Sequence, residues 1–175
     1  MFKHLLAPTD GSALSDAAVQ LAAALAKKHH AKLTVLHVIP EFRMLTSDPE
    51  MLGDTKERFQ QVSQRQAKAI LVASMTIAQQ AGVECEVVSV SGAHPHEAII
   101  DAATQQGCDL IVMASHGRSG VRALLIGSET QKVLTHSDIP VLVVRPSKSL
   151  QPRDDAKSNT TGTAPGASSQ PFISL

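Results

Sequence analysis

Apolar residues occur along this chain in short continuous runs that alternate with longer segments of mixed polarity. The runs are aliphatic and often β-branched, which is typical of strands that are buried on both faces of a sheet. They predict five strands, over residues 2–7, 32–39, 83–90, 109–114 and 141–145.

The segments between these strands carry signals of helix starts and ends. Ser12 is a suitable N-cap, Pro95 suits the first turn of a helix, and Gly82 is placed as a C-cap. Residues 41–56 contain Pro, Gly and scattered charges, which predicts an irregular segment. The remaining pattern predicts four helices, over residues 13–30, 55–81, 95–106 and 128–136.

Strict alternation of strands and helices predicts an α/β fold with a parallel sheet that is covered by helices on both faces. Right-handed crossovers reduce the possibilities to a doubly wound sheet of five strands. Beyond Pro146 the composition changes to Ser, Thr, Pro, Gly and charged residues. The sequence therefore predicts one domain over residues 1–146 and a disordered tail over residues 147–175.

Composition excludes several classes of function. Lys and Arg number 16 and so do Asp and Glu, which argues against a nucleic-acid binder that works by bulk charge. Tyr and Trp are absent, so base-stacking platforms are not expected. No signal peptide or run of about 18 apolar residues is present, which predicts a cytoplasmic protein without a membrane partner. Cys85 and Cys108 match no metal or disulfide pattern and are expected to be buried free thiols, with a redox role as the alternative.

Two polar, glycine-containing loops follow the first and fourth predicted strands, at residues 8–12 and 114–120. Ligands of open parallel sheets bind beyond the carboxyl ends of the strands, at the point where the strand order reverses. If the first strand is central, these two loops flank that point. The sequence therefore predicts the ligand site between them.

The second loop has residues suited to an anion. Gly117 and Gly120 allow backbone amides to turn toward a phosphate without interference from a Cβ atom. Gly127 and Ser128 then open a helix, whose N-terminus has free amides and a positive dipole end. Ser128 and Gln131 match a capping box, which predicts that the helix begins at Ser128. The alternative is that the glycines only form turns and Ser128 only caps, and spacing leaves both open.

Other polar residues near these loops also allow two interpretations. The Asp10 carboxylate can accept from an adenine amine, a ribose hydroxyl or a metal-bound water, or it can form an Asx-turn. His116 can contact a phosphate or a local turn, and Arg118 can contact a phosphate or lie in solvent. His94 and His96 lack partners at ligand spacing, so no metal site is predicted there.

Three sequence blocks carry a family resemblance: LLAPTDGSALSDAAVQLA, LTVLHVIP and DLIVMASHGRSGVRALLIGSETQKVLTHSDIPVLVVR. Together they resemble the universal stress protein family over residues 1–146. The resemblance implies a fold like the adenine nucleotide alpha hydrolases, an adenine nucleotide as ligand, and a homodimer that pairs through the strand from Val141 to Val144. The bare apolar edge of that strand independently favours such pairing.

ATP-binding members of this family carry Gly-x-x-Gly, nine residues, and then Gly-Ser or Gly-Thr. The corresponding residues of this chain are Ala114, Gly117, Gly127 and Ser128. Ala114 thus replaces the first glycine. Its methyl group costs little if its φ angle is negative and much if that angle is positive.

The resemblance also assigns roles within the site. Pro8, Thr9 and Asp10 would line the base and ribose, and the backbone of Val38 would meet the adenine. The phosphates would be held by Gly117, Ser119, Gly127 and Ser128. The full predicted site contains, besides these residues and the four before them, Ala114, His116, Arg118, Gly120 and Glu129. Glu129 brings a carboxylate near a triphosphate, at a cost on the order of 1 kcal/mol, unless Mg²⁺ bridges the two or the side chain points away.

The function predicted from these features is a regulatory ATP-binding dimer of the stress response, with slow turnover at most. No positioned general base or catalytic Lys is evident, so an efficient enzyme is not expected. Two alternatives stay open. One is a nucleotide-independent interaction module that binds a protein partner, which Ala114 and Glu129 favour. The other is a weak ATPase or autophosphorylating protein with Ser119 or Ser128 as acceptor.

Overall fold

A computed structural model describes residues 2–42, 49–117 and 126–145, with the backbone alone for residues 49–54. Strands and helices alternate through these ranges, as the hydrophobic pattern predicts. They are β1 (His4–Pro8), α1 (Ala13–His29), β2 (Lys32–Pro40), α2 (Pro49–Gln80), β3 (Cys85–Gly92), α3 (Pro95–Gln105), β4 (Leu110–Ala114), α4 (Ser128–His136) and β5 (Val141–Val144).

The five strands form one parallel sheet in the order β3-β2-β1-β4-β5. The central strand is β1, in which Leu6 pairs with Thr34 of β2 on one side and with Ile111 of β4 on the other. The strand order reverses between β1 and β4. The predicted doubly wound α/β fold is therefore confirmed, and its switch point lies at the carboxyl ends of β1 and β4.

The sheet has a hydrophobic core on each face. Leu5 belongs to the core that includes residues of α1 and α2, whereas Leu6 belongs to the core formed with α3 and α4. Both side chains are fully buried. Because successive side chains of a strand point to opposite faces, covering both faces requires apolar residues at every position. This explains why the strands are continuous apolar runs in the sequence.

Several predicted helix ends are confirmed. Ser12 is the N-cap of α1, and its side chain accepts a hydrogen bond from the Ser15 amide at 3.2 Å. Pro95 is the first residue of α3. Gly82 follows α2 with a φ of +72°, a left-handed conformation that glycine adopts without strain.

Several boundaries differ from the prediction: β1 begins at His4 rather than at residue 2, β3 spans Cys85–Gly92 rather than residues 83–90, and two further differences involve prolines. Helix α2 begins at Pro49, so part of the segment that was predicted to be irregular is helical. A proline at the first position of a helix loses no hydrogen bond, and a glycine inside a helix costs only about 1 kcal/mol. Pro8 is the last residue of β1 rather than the residue that stops it. The predicted tail at 147–175 lies outside the described residues.

Within the described ranges, no helix has the length and hydrophobicity needed to cross a bilayer.

Candidate functional site

A cavity of about 510 Å³ lies at the carboxyl ends of β1, β2 and β4, at the switch point of the sheet. The loops after β1 and β4 both line it, as the sequence predicts. Every predicted site residue that the structure describes contributes to its wall: Pro8, Thr9, Asp10, Val38, Ala114, His116, Gly117, Gly127, Ser128 and Glu129. Arg118, Ser119 and Gly120 lie outside the described residues, so their roles stay predictions.

The loop after β1 is held by a set of short hydrogen bonds. Asp10 Oδ1 accepts from the Ser12 amide at 3.0 Å, which is the Asx-turn considered from the sequence. Thr9 Oγ1 accepts from the Gly11 amide at 3.1 Å and lies 3.0 Å from Ser15 Oγ. These bonds order the loop at the edge of the cavity.

The second carboxylate oxygen of Asp10 meets the loop after β4. A Cβ atom added to Gly117 would overlap Asp10 Oδ2 and lie 3.3 Å from Asp10 Cγ. No side chain fits at this position while Asp10 stays in place. Gly117 is therefore required for a close approach between the two loops, in addition to any role in binding an anion.

The start of α4 differs from the predicted capping box. Gly127 is the N-cap and Ser128 the first helical residue, and among the described residues no side chain caps the helix. The Gln131 amide donates to Gly127 O at 2.9 Å, while the Gly127 amide donates to Ser115 O at 2.7 Å. The bond to Ser115 fixes Gly127 as the turning residue, so the serine that follows enters the helix. In the described part of the chain, the first-turn amides of α4 thus have no capping side chain, and they lie beside the cavity.

Ala114, which replaces the first glycine of the family motif, lies at the end of β4 in register with Val144. Among the described residues other than glycine, only His30 has a positive φ angle. The methyl group of Ala114 therefore imposes no backbone strain. Its carbonyl accepts from Thr130 Oγ1 at 2.9 Å, a bond that joins α4 to the end of β4.

The Glu129 carboxylate is held by three donors. Oε2 accepts from the amide and from Nδ1 of His96, at 3.0 and 2.9 Å, and Oε1 accepts from Lys132 Nζ at 3.0 Å. Burial raises the pKa of the Glu129 carboxyl, but the hydrogen bonds from Lys132 and His96 together lower it by more. The net result is a pKa below the ordinary value. Glu129 is thus ionised at neutral pH, and both of its oxygens have partners within the protein.

The donor groups of the protein provide no metal site of their own in the described residues. In residues 2–42, 49–117 and 126–145, no group of three or more His, Cys, Asp or Glu side chains could hold a metal ion. Cys85 and Cys108 are free thiols. Burial raises the pKa of the Cys108 thiol to about 11, with smaller contributions from the Asp109 and Glu86 charges. This pKa suppresses the thiolate that redox chemistry needs.

Comparison with known proteins agrees with this architecture. A family model described as "Universal stress protein family" matches residues 1–145. The chain belongs to this family. The universal stress protein YxiE of Bacillus subtilis is 35% identical over 149 residues, which cover 83% of this chain and 100% of YxiE.

Two solved structures of similar proteins share the fold of this universal stress protein family member. The structure of MJ0577, a universal stress protein of Methanocaldococcus jannaschii, matches with a TM-score of 0.72 and 29% identity, covering 85% of this chain and 99% of MJ0577. A universal stress protein solved in complex with cAMP matches with a TM-score of 0.63 and 28% identity. That match covers 83% of this chain and 99% of the other.

Sequence reasoning about this universal stress protein missed several residues of the cavity wall. His37 donates from Nδ1 to the Thr9 carbonyl at 2.8 Å, and Pro95 lines another side. The other unpredicted lining residues are Ser15, Leu36, Ile99, Met113, Ile126 and Thr130. His116, which was predicted, has its Nδ1 atom 3.1 Å from Ser115 Oγ, and this is the local contact considered from the sequence. Most lie inside strands or helices, where their pattern indicates only burial, and His37 alone offered a signal as a polar residue near the end of a strand.

Proposed function

We propose that the protein binds ATP as a regulatory member of the stress response, with slow or no turnover. The observation that supports this most directly is the cavity at the switch point, which joins an apolar wall to a helix N-terminus without a capping side chain. An adenine nucleotide needs both an apolar surface for its base and unpaired donors for its phosphates.

The apolar part of the cavity suits the adenine base. Leu36, Val38, Ile99 and Met113 contribute to this wall. The ladder between β1 and β2 ends at Pro8, which is paired with Leu36, and Val38 lies two residues further along β2. Because residues two apart in a strand direct their backbone groups to the same side, Val38 is well placed to form backbone hydrogen bonds with the adenine edge.

The polar part of the cavity suits the ribose and phosphates. The first turn of α4 has free amides and the positive end of the helix dipole, which would hold phosphate oxygens. The carboxylate of Asp10, at the opposite loop, would bind the ribose hydroxyls or a Mg²⁺ ion. Mg²⁺, when bound with ATP, would supply positive charge that compensates the triphosphate.

The proposal is supported by a relative and by the two residues that had favoured a nucleotide-independent module. The universal stress protein that was solved with cAMP, an adenine nucleotide, is 28% identical to this chain. Ala114 has no backbone strain, and the Glu129 carboxylate is held by His96 and Lys132. Neither residue therefore favours a protein that has lost the ability to bind a nucleotide.

The proposal includes a homodimer, a cytoplasmic location and a domain that ends at residue 146. Strand β5 is an edge of the sheet, and Leu142 on this strand is 38% exposed, so a second copy could extend the sheet there. The two free thiols suit a reducing compartment.

Calorimetric titration with ATP, with and without Mg²⁺, tests the proposal. At about 100 μM protein, a Kd tighter than roughly 1 mM gives measurable heat. Val38→Trp would fill the cavity and should abolish this heat, whereas Val72→Trp, on an exposed part of α2, should not. Absence of heat with the unmodified protein would contradict ATP binding and leave the nucleotide-independent module. Phosphate release during incubation with ATP would instead indicate the weak ATPase.

A further inference from the structure

The pair formed by Glu129 and His96 connects two helix N-termini. Glu129 is the second residue of α4 and lines the cavity, yet its carboxylate accepts from the backbone amide and the ring of His96 in the first turn of α3. The His96 side chain is only 12% exposed. The carboxylate of one helix therefore caps the N-terminus of its neighbour.

A helix N-terminus attracts negative charge, so α3 and α4 compete for the Glu129 carboxylate. In the structure α3 holds it, because His96 provides two donors, and Lys132 of α4 binds the other oxygen. With Glu129 held there, no side chain of residues 2–42, 49–117 or 126–145 caps the first turn of α4. That turn is where the proposed function places the nucleotide phosphates.

We propose that His96 is a positioning residue that keeps the Glu129 carboxylate on α3 and so determines how well the cavity accepts a triphosphate. The inference rests on the proposed function. Without the imidazole, one of the three donors to Glu129 is lost and the side chain can turn toward the first turn of α4. There it would occupy the amides and repel the phosphates.

The expected size of this effect follows from elementary electrostatics. Two like charges at partly exposed separations repel by about 1 kcal/mol, which corresponds to roughly a fivefold change in affinity. The repulsion grows with the charge of the ligand. His96→Ala should therefore weaken ATP binding by about fivefold and ADP binding by less.

The test compares the affinity for ATP and ADP of the unmodified protein, His96→Ala, and the double variant His96→Ala/Glu129→Gln. The double variant removes the released charge, so it should recover an ATP affinity within about twofold of the unmodified protein. His94→Ala is the matched control, because His94 is an exposed histidine just before α3 and its side chain does not cap the helix. This control should bind ATP as the unmodified protein does. Thermal melts verify that each variant is folded, and His96→Phe, which keeps a ring but has no N–H donor, replaces His96→Ala if the latter unfolds.

Three results would overturn the inference while leaving ATP binding intact. They are an unchanged ATP affinity in His96→Ala, an equal loss for ATP and ADP, and a double variant that stays as weak as the single one. An equal loss that Glu129→Gln does not correct would mean that His96 only supports the local structure. Absence of ATP binding by the unmodified protein would contradict the proposed function, and the inference with it.

Discussion

The α-carbon of Gly117 lies so close to the Asp10 carboxylate that a Cβ atom there would overlap Asp10 Oδ2. The other oxygen of the same carboxylate accepts from the Ser12 amide near the start of α1. The Asp10 carboxylate therefore lies between the N-cap of α1 and the loop after β4.

We expect Gly117→Ala to lower the free energy of unfolding by about 1 kcal/mol, because the added methyl group displaces the Asp10 carboxylate and breaks its hydrogen bond from the Ser12 amide. Urea denaturation measures this change. In Asp10→Ala/Gly117→Ala the carboxylate is absent, so the double variant should be less destabilised than the sum of the two single variants. Additive effects would show that the two residues do not interact.

Asp109 should stabilise the protein in a pH-dependent manner. Its carboxylate accepts from the Lys3 and His4 amides at 2.7 and 3.1 Å, next to β1. Burial raises the pKa of Asp109, but the bonds from the His4 and Lys3 amides lower it overall, below the ordinary value of 3.8. A depressed pKa in the folded state stabilises the fold above the unfolded value and loses this effect as the pH falls through the folded value.

Asp109→Asn should therefore cost about 1 kcal/mol of unfolding free energy near pH 7 and much less near pH 3. Urea denaturation at both pH values provides the measurement. The control is Asp101→Asn, on an exposed part of α3, which should change stability by less than about 0.5 kcal/mol at either pH. A cost for Asp109→Asn that is equal at both pH values would contradict the assignment.

The thiol of Cys108 should react slowly in the folded protein. Its side chain is buried, and its pKa is raised by burial to about 11 from the ordinary value of 9.0. A pKa that is about two units higher reduces the thiolate fraction of Cys108 near pH 8 about a hundredfold. Alkylation of the folded protein should therefore be at least about a hundredfold slower than alkylation of the protein unfolded in urea. The rate should increase as the pH rises toward the pKa. Cys85→Ser isolates Cys108 for this measurement, and fast labelling of the folded variant would show that the thiol is accessible.

If the protein dimerises through β5, a charged residue on that strand should convert the dimer to a monomer. Leu142→Asp places a charge on the edge strand and should shift the sedimenting species from dimer to monomer. Val72→Asp, on a 49% exposed position of α2, is the control and should stay dimeric. A dimer that survives Leu142→Asp, or a monomer in the unmodified protein, would exclude this interface.

The order of the elements, the cap at Ser12 and the position of the cavity could all be predicted from the sequence, because each depends on local patterns and on the topology that they permit. The start of α4 at Ser128 was predicted correctly, but its cap was not, because Gly127 rather than Ser128 is the N-cap. A capping box depends only on nearby residues, whereas the bond from the Gly127 amide to Ser115 O holds Gly127 at the cap position. The start of α2 was wrong because local Pro and Gly signals also suit the first turns of a long helix.

By itself, the sequence determined the α/β fold, the family and the two loops that meet at the switch point, since apolar runs and glycine spacing are properties of short segments. Only the tertiary structure decided that Gly117 must make room for Asp10 and that Glu129 turns toward His96, 33 residues earlier in the chain. The direction of a carboxylate depends on which donors folding brings within hydrogen-bond distance. A donor that belongs to a neighbouring helix leaves no mark in the local pattern of residues.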